Sequence, residues 1–407
     1  MKILRTTLRR FLRKMRQLMR EQDVSRKKAV GKPTLCLTRQ VCDFLQSRYD
    51  FRHNMLTEET EFRPAGMREA TFSPVGKREL NTLCMEAHRQ GISCWDKDLS
   101  RYIYSTEVES YHPFRLYMDE LPAWDGTERL DALARRVSGD SLWISSFRIW
   151  MLALTAQWMG VEEEQANSVA PILISAEQGR HKSTFCRALM PALLARYYTD
   201  NLKLTSQGNP ERLLAEMGLL NMDEFDKYGP QKMPLLKNLM QMSRLNICKA
   251  YQKNFRLLPR IASFIGTSNR TDLLSDPTGS RRFICVEVEH DIDCSGIDHA
   301  QVYAQLKSEL LSGARHWFTK EEERALQRHN AAYYRINPVE EILRTTYAPA
   351  FYDEENCLSL SVAAIHKTLR KKYPAALCNC TPNQLAQTLT TLGITRRHTK
   401  LGNVGEG

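Results

Sequence analysis

Pro171-Ile172-Leu173-Ile174-Ser175-Ala176-Glu177-Gln178-Gly179-Arg180-His181-Lys182-Ser183-Thr184-Phe185 is the stretch that decides the fold. A short apolar run passes through a polar loop, Ser175 to His181, into Lys182-Ser183-Thr184. These residues open a helix through Phe185, Leu189 and Met190. Strand, loop and helix in that order are the setting of a phosphate-binding loop, whose frame is G-x-x-x-x-G-K-[S/T]. Backbone N–H groups curl around an anion there, and the helix N-terminus adds its partial positive charge. The frame falls on Ala176 to Ser183, with Ala176 and His181 in place of its two glycines and Gly179 inside it. The pattern predicts nucleotide contacts at Gln178, Gly179, Arg180, His181, Lys182, Ser183 and Thr184. The plainer alternative is a basic loop that caps a helix.

Three further elements belong with such a loop. Leu219-Leu220-Asn221-Met222-Asp223-Glu224 is an apolar run ending in an acidic pair. Asp223 is expected to organise Mg²⁺ together with the Ser183 hydroxyl, and Glu224 to polarise the attacking water. Asn221 interrupts the run and is expected on one side of the strand. Ile261 to Asn269 forms a third apolar strand with Asn269 at its tip, suited to reading a γ-phosphate. Gly279-Ser280-Arg281-Arg282-Phe283 then sets two guanidiniums ahead of the strand Phe283–Val288, and arginine suits a developing phosphoryl charge. An Asp-Glu strand end or an Arg-Arg turn means little alone. All four elements in sequence, each at a strand–loop junction, predict an ATPase-type α/β fold with ATP and Mg²⁺ as its ligands.

The same residues carry a family resemblance. Gln178 to Phe185, Asn221 to Asp226 and Gly266-Thr267-Ser268-Asn269-Arg270 look like the virulence-associated protein E family. Asp276-Pro277-Thr278-Gly279-Ser280-Arg281-Arg282-Phe283 is the most specific match, and His112 to Gly126 resembles the region ahead of that family's phosphate loop. The resemblance spans about Val41 to Phe318. It implies similarity to superfamily-three helicases of phages and integrating elements, with an AAA+-like core that forms rings. The family often accompanies, or is fused to, a primase, although no primase signature is visible here. His181 departs from the family's usual Gly-x-Gly-Lys-[Ser/Thr] loop, and a neutral His still donates a hydrogen bond to a phosphate.

Outward from this centre, Leu142 to Met159 is apolar and helical. Upstream, Thr34 to Val137 is expected to hold a helix from Val41 to Tyr49, a polar stretch to about Lys77, and a helix from about Arg78 to Arg89. Pro113, Pro122 and Asp125-Gly126 mark turns. The first twenty residues read as an amphipathic helix: Leu4, Leu8, Phe11, Leu12, Met15, Leu18 and Met19 recur at three- and four-residue spacing among arginines. That helix suits phosphates, an anionic membrane, a partner, or the protein's own body. Downstream, Lys320–His329 is a charged helix, and Leu358 to Leu369 another. Thr381 caps a third with Pro382 at its first position. A basic strand, Gly393 to Lys400, follows. Helix, helix and basic strand outline a winged helix or, alternatively, a small helical cap.

The expected organisation is therefore a basic arm (1–33), an N-terminal accessory domain (34–137), an ATPase domain (138–320), a helical linker (321–345) and a winged-helix-like domain (346–407). In fold class this is α/β: an AAA+-like P-loop core, a mainly helical N-terminal region and a small C-terminal domain.

Composition bounds the function. The 407 residues are 42% apolar and 26% charged, which excludes wholesale disorder, a collagen-like repeat and a disulfide miniprotein. No run of 18 apolar residues predicts a membrane span. Of the net charge of +11, about +10 lies in residues 1–33, so the basicity belongs to the arm. The eleven cysteines include no Cys-x-x-Cys, and Cys378-Asn379-Cys380 has no histidines at zinc-ligand spacing. Reduced thiols in a cytoplasmic protein, without a structural zinc site, are expected. Two functions survive. One is a ring-forming, ATP-driven translocase on single-stranded DNA, serving replication of a mobile element with a primase as candidate partner. The other is a nucleic-acid-binding regulatory module that binds nucleotide without productive turnover.

Overall fold

The apolar runs spaced between polar loops become parallel strands in a computed structural model of the chain. It describes residues 36–67, 69–161, 166–205, 208–229, 231–248, 255–274, 277–334, 338–347, 359–378, 380–394, 396–399 and 402–406. The basic arm lies outside the described residues. The chain divides into two compact units, the first ending at Pro113 and the second beginning at Phe114.

The first unit contains α1 (Leu37–Arg48), β1 (Tyr49–Asn54), β2 (Thr60–Pro64), β3 (Ser73–Pro74), α2 (Lys77–Arg89), α3 (Asp96–Ile103) and β4 (Ser110–Tyr111). The polar stretch up to Lys77 thus holds three strands, and the region predicted as mainly helical carries a four-stranded sheet in the order β3-β2-β1-β4. Its polar appearance has a physical reason. Glu61 on β2 is fully buried, where Arg52 Nη2 pairs with it at 2.8 Å and the Tyr111 hydroxyl donates to it at 2.7 Å. A buried carboxylate with two such donors meets the requirement for burying charge, but it disguises the strand's apolar alternation. The helices contribute much of the rest of this core, among it Val41, Leu45, Leu83, Ala87, Leu99 and Ile103.

The second unit opens one residue into α4 (Pro113–Glu120) and continues with α5 (Leu130–Arg135) and α6 (Ser141–Met159). Residues 114–137, grouped by sequence with the N-terminal stretch, pack here: Phe114 lies against Trp158 at 4.8 Å and Tyr197 at 5.2 Å between ring centroids. Asp140 caps α6 by accepting from Trp143 N, and Gly160 ends it in a left-handed conformation. Most of α6 is buried, including Trp143, Trp150 and Trp158, which accounts for its nearly uniform apolarity. Among the described residues no helix is long and apolar enough to cross a membrane.

After α6 come β5 (Ala170–Ile174), α7 (Lys182–Ala188), β6 (Tyr198–Thr199), α8 (Pro210–Glu216), β7 (Leu219–Met222), α9 (Met233–Gln241), the hairpin β8 (Arg244–Cys248) and β9 (Phe255–Pro259), β10 (Ser263–Ser268) and β11 (Phe283–Glu287). Five of these strands form a parallel sheet in the order β11-β5-β10-β7-β6. β5, β7 and β10 are buried at every position, so their near-continuous apolar runs match a sheet covered on both faces. Asn221, expected on one side of the strand, has its side chain fully buried there.

α10 (His299–Leu311) and α11 (Lys320–His329) follow. α11 is not a free-standing connection. Leu326 is buried, and just beyond the helix Asn330 donates to the carbonyls of Ser280 and Phe283 at 2.7 and 2.8 Å. The C-terminal elements are α12 (Pro338–Thr346), β12 (Ser359–Ser361), α13 (Val362–Lys372), α14 (Pro382–Thr391), β13 (Arg396–Thr399) and β14 (Gly402–Glu406). Their small sheet has the order β12-β14-β13, and α12, α13 and α14 share a core through Leu343, Leu369 and Leu385. The helix predicted from Leu358 starts only at Val362, because Ser359–Ser361 pairs with β14 and Ser361 then caps the helix. Thr381 caps α14 with Pro382 in its first turn, as its sequence dictates.

Candidate nucleotide site

Strand order and register assemble the site. β5, β7 and β10 run parallel, so the segments after Ile174, Met222 and Ser268 emerge at one edge of the sheet. Ligands of open α/β sheets bind at that carboxyl edge. Gly266 lies opposite Met222, which brings the following Thr267 and Asp223 together; Ser268 lies opposite Ile174, which brings Asn269 to the loop after β5. Gly266 is required by close approach, since a Cβ there would meet Ile172 Cδ1 at 2.8 Å and the Met222 carbonyl at 3.2 Å.

The loop then turns through Gly179 (φ +87°) and His181 (φ 58°, ψ 23°) into α7. His181 adopts the left-handed conformation that glycine normally supplies at this place. A non-glycine residue there stores about 1 kcal/mol of strain. Lys182 is buried, and its Nζ donates to the Ser175 carbonyl at 3.0 Å and to Asn269 Oδ1 at 3.0 Å. Burial holds its ammonium below the usual lysine range, while the Asp223 charge opposes that shift. Ser183 Oγ donates to Asp223 Oδ1 at 2.8 Å. Arg180 turns aside to Glu177 and Asp291, at 2.5 and 3.4 Å.

Asp223 Oδ1 accepts a second bond, from Thr267 Oγ1 at 2.6 Å, and the same hydroxyl oxygen accepts from Glu224 N at 3.3 Å. Thr267 is the residue that sequence reasoning missed. It looked like one more position in an apolar strand, and only the register of β10 against β7 gives it this place. Glu224 itself is left-handed (φ 52°, ψ 53°), and its carboxylate pairs with Lys227 one turn on.

These residues surround a cleft of about 380 Å³ whose lining includes the loop from Gln178 to Thr184 with Asp223, Glu224, Thr267 and Asn269. Arg281 and Arg282 are not part of that lining; Arg281 pairs with Glu323 on α11 at 3.1 Å. The donor set fits a nucleotide with its metal. Lys182 presents a charge at the base of the loop, and the Ser183 hydroxyl and Asp223 carboxylate already touch, as two oxygen ligands of one small cation would.

A family model described as the virulence-associated protein E-like domain matches residues 118–335, more than half of the chain. The chain belongs to that family. A second model, a domain of unknown function from B. Theta (DUF3874), matches residues 336–405. Among solved structures, the chain is similar to the apo structure of the NrS-1 C terminal region (305-718). Identity is 14% and the TM-score 0.47, with 93% of this chain and 99% of that one covered. An A form apo structure of the same region matches at 14% identity and a TM-score of 0.45, covering 91% and 98%. No curated protein matches.

Proposed function

We propose that the chain is an ATP-hydrolysing motor with an AAA+-like P-loop core, acting as a DNA helicase or translocase in the replication of a phage or mobile element. The observation that carries this reading is the convergence of Lys182, Ser183, Asp223, Glu224 and Asn269 on one cleft at the carboxyl edge of a β11-β5-β10-β7-β6 sheet. Lys182 would meet the β- and γ-phosphates, and the loop N–H groups would wrap them. Ser183 and Asp223 would hold Mg²⁺, which neutralises phosphate charge when bound. Glu224 would orient the water and Asn269 the γ-phosphate. With Arg281 and Arg282 outside the cleft lining, their expected role is on the nucleotide of a neighbouring subunit in a homo-oligomeric ring.

The order helix, strand, helix, helix and a two-stranded hairpin over 338–406 supports a winged-helix reading of the C-terminal elements, with the basic β13 as a DNA contact. Single-stranded DNA is the proposed substrate, and a primase the proposed partner. ATP turnover measured with and without single-stranded DNA tests the motor. Stimulation by DNA is expected; turnover that ignores DNA would contradict a translocase.

The second reading, nucleotide binding without productive turnover, is favoured by two features. They are the left-handed His181 and the engagement of Glu224 by Lys227. In that case ATP binds with the affinity of a phosphate loop while no phosphate is released.

A further inference from the structure

We propose that Cys84, His88 and Cys94 form a binding site for a thiophilic d¹⁰ metal ion, zinc, in the first unit. Their donor atoms all lie within 4.8 Å of one another, and Cys84 Sγ is 3.9 Å from His88 Nε2. Tetrahedral zinc, with bonds of about 2.3 Å to sulfur and about 2.0 Å to nitrogen, sets its donors roughly 3.5–3.8 Å apart. The Cys84–His88 pair is near that spacing, and the set as a whole must close by about 1 Å at most. The site is independent of the nucleotide reading.

The backbone places these donors before any ion arrives. Cys84 and His88 are four residues apart on α2, so they share one face. The helix then ends at a left-handed Gly91. Gly91 N bonds the His88 carbonyl at 2.8 Å and Ile92 N bonds the Ala87 carbonyl at 3.0 Å, the paired bonds of a Schellman turn. Ile92 packs on the unit's core, and two residues later Cys94, only 2% exposed, is carried back beneath the helix end. Both Cys84 Sγ and His88 Nε2 already converge on Cys94, reaching its carbonyl oxygen at 3.6 and 2.5 Å. Ion binding would exchange these contacts for metal bonds.

The chemistry selects the ion. Two thiols and an imidazole, with no carboxylate in the set, suit zinc and disfavour Mg²⁺ or Ca²⁺. His88 is exposed, which leaves a fourth tetrahedral position open to water or to an incoming donor. A small unit with a limited core gains most from such a staple, which would fix the end of α2 to the segment entering α3. The spacing C-x3-H-x5-C lacks the close cysteine pair by which sequence signals zinc, so the Schellman turn is what reveals it.

The test uses the full chain, purified without a histidine tag or chelator. Zinc is quantified after release by a thiol-blocking mercurial, and cobalt is substituted as a spectroscopic probe. About one zinc per chain is expected, with thiolate-to-cobalt charge transfer and tetrahedral visible bands. Cys84→Ser, Cys94→Ser and His88→Ala should each lose most of the metal, whereas Cys378→Ser and Asp223→Asn should retain it. His88→Cys, which keeps a soft donor, should bind cobalt with stronger charge transfer, so the proposal is testable even where the serine variants fold poorly. Equal zinc in the wild type and the triad variants would overturn the site. So would failure of the wild type to take up zinc or cobalt, or a Cys84–Cys94 disulfide found by mass.

Discussion

Lys182 is the residue on which the nucleotide reading turns. Its ammonium is buried at the base of the loop and held by the Ser175 carbonyl and Asn269, aimed where a phosphate would sit. Lys182→Ala is expected to abolish ATP binding in a calorimetric titration, and unchanged affinity would end the phosphate-loop assignment. Arg260 holds a second buried charge of a different kind. Its guanidinium donates to the carbonyls of Met240 at 2.6 Å, Ala262 at 2.6 Å and Asn167 at 3.0 Å, joining the end of α9 to the approaches of β10 and β5. Burial pulls its pKa down from the usual arginine range, and the carbonyl oxygens supply the compensating partners. Arg260→Leu should cost about 3 kcal/mol of unfolding free energy, because several buried carbonyls lose their donor at once. A loss under about 1 kcal/mol in urea titration would show that the staple is replaceable. Lys182 was legible in the sequence, since a motif marks it; Arg260 was not, since nothing local distinguishes a buried arginine from a surface one.

The strands show where sequence reading holds and where it stops. Runs such as Pro171–Ile174 and Phe283–Val288 declared themselves because a sheet covered on both faces demands continuous apolar residues. Their order and register depend on pairings far apart in sequence, so Thr267 could not be placed beside Asp223 from its neighbours alone. The strands of the first unit escaped notice because Glu61, Arg52 and Tyr111 satisfy one another inside it. Asn221 tests the price of such burial directly. Both polar atoms of its amide are buried on β7 without a well-formed hydrogen bond among the described residues, although the buried Tyr198 hydroxyl on β6 lies close enough to interact. Asn221→Leu, which keeps the branched four-atom side chain without its polar groups, should raise stability by about 1 kcal/mol, seen as a higher urea midpoint with an unchanged slope. A destabilised variant would mean that the amide is satisfied in solution.

At the level of the whole molecule, the chain belongs to the virulence-associated protein E-like family, and turnover at its site is the property to measure. Arg281 and Arg282 precede β11, and Arg281 is fixed to α11 rather than to the cleft of its own chain. Should these arginines act across a subunit boundary, mixing an Arg281→Ala, Arg282→Ala protein with Lys182→Ala should restore part of the ATPase activity at mixed interfaces. No recovery despite confirmed co-assembly would count against a shared site. The most direct measurement separates binding from chemistry at Glu224, by titrating ATP and timing phosphate release for the wild type and Glu224→Gln. The account predicts unchanged ATP affinity and a loss of turnover of about 100-fold or more, because the carboxylate orients the water without holding the nucleotide. Weakened binding with turnover per bound ATP intact, or a wild type that binds ATP and releases no phosphate, would contradict it.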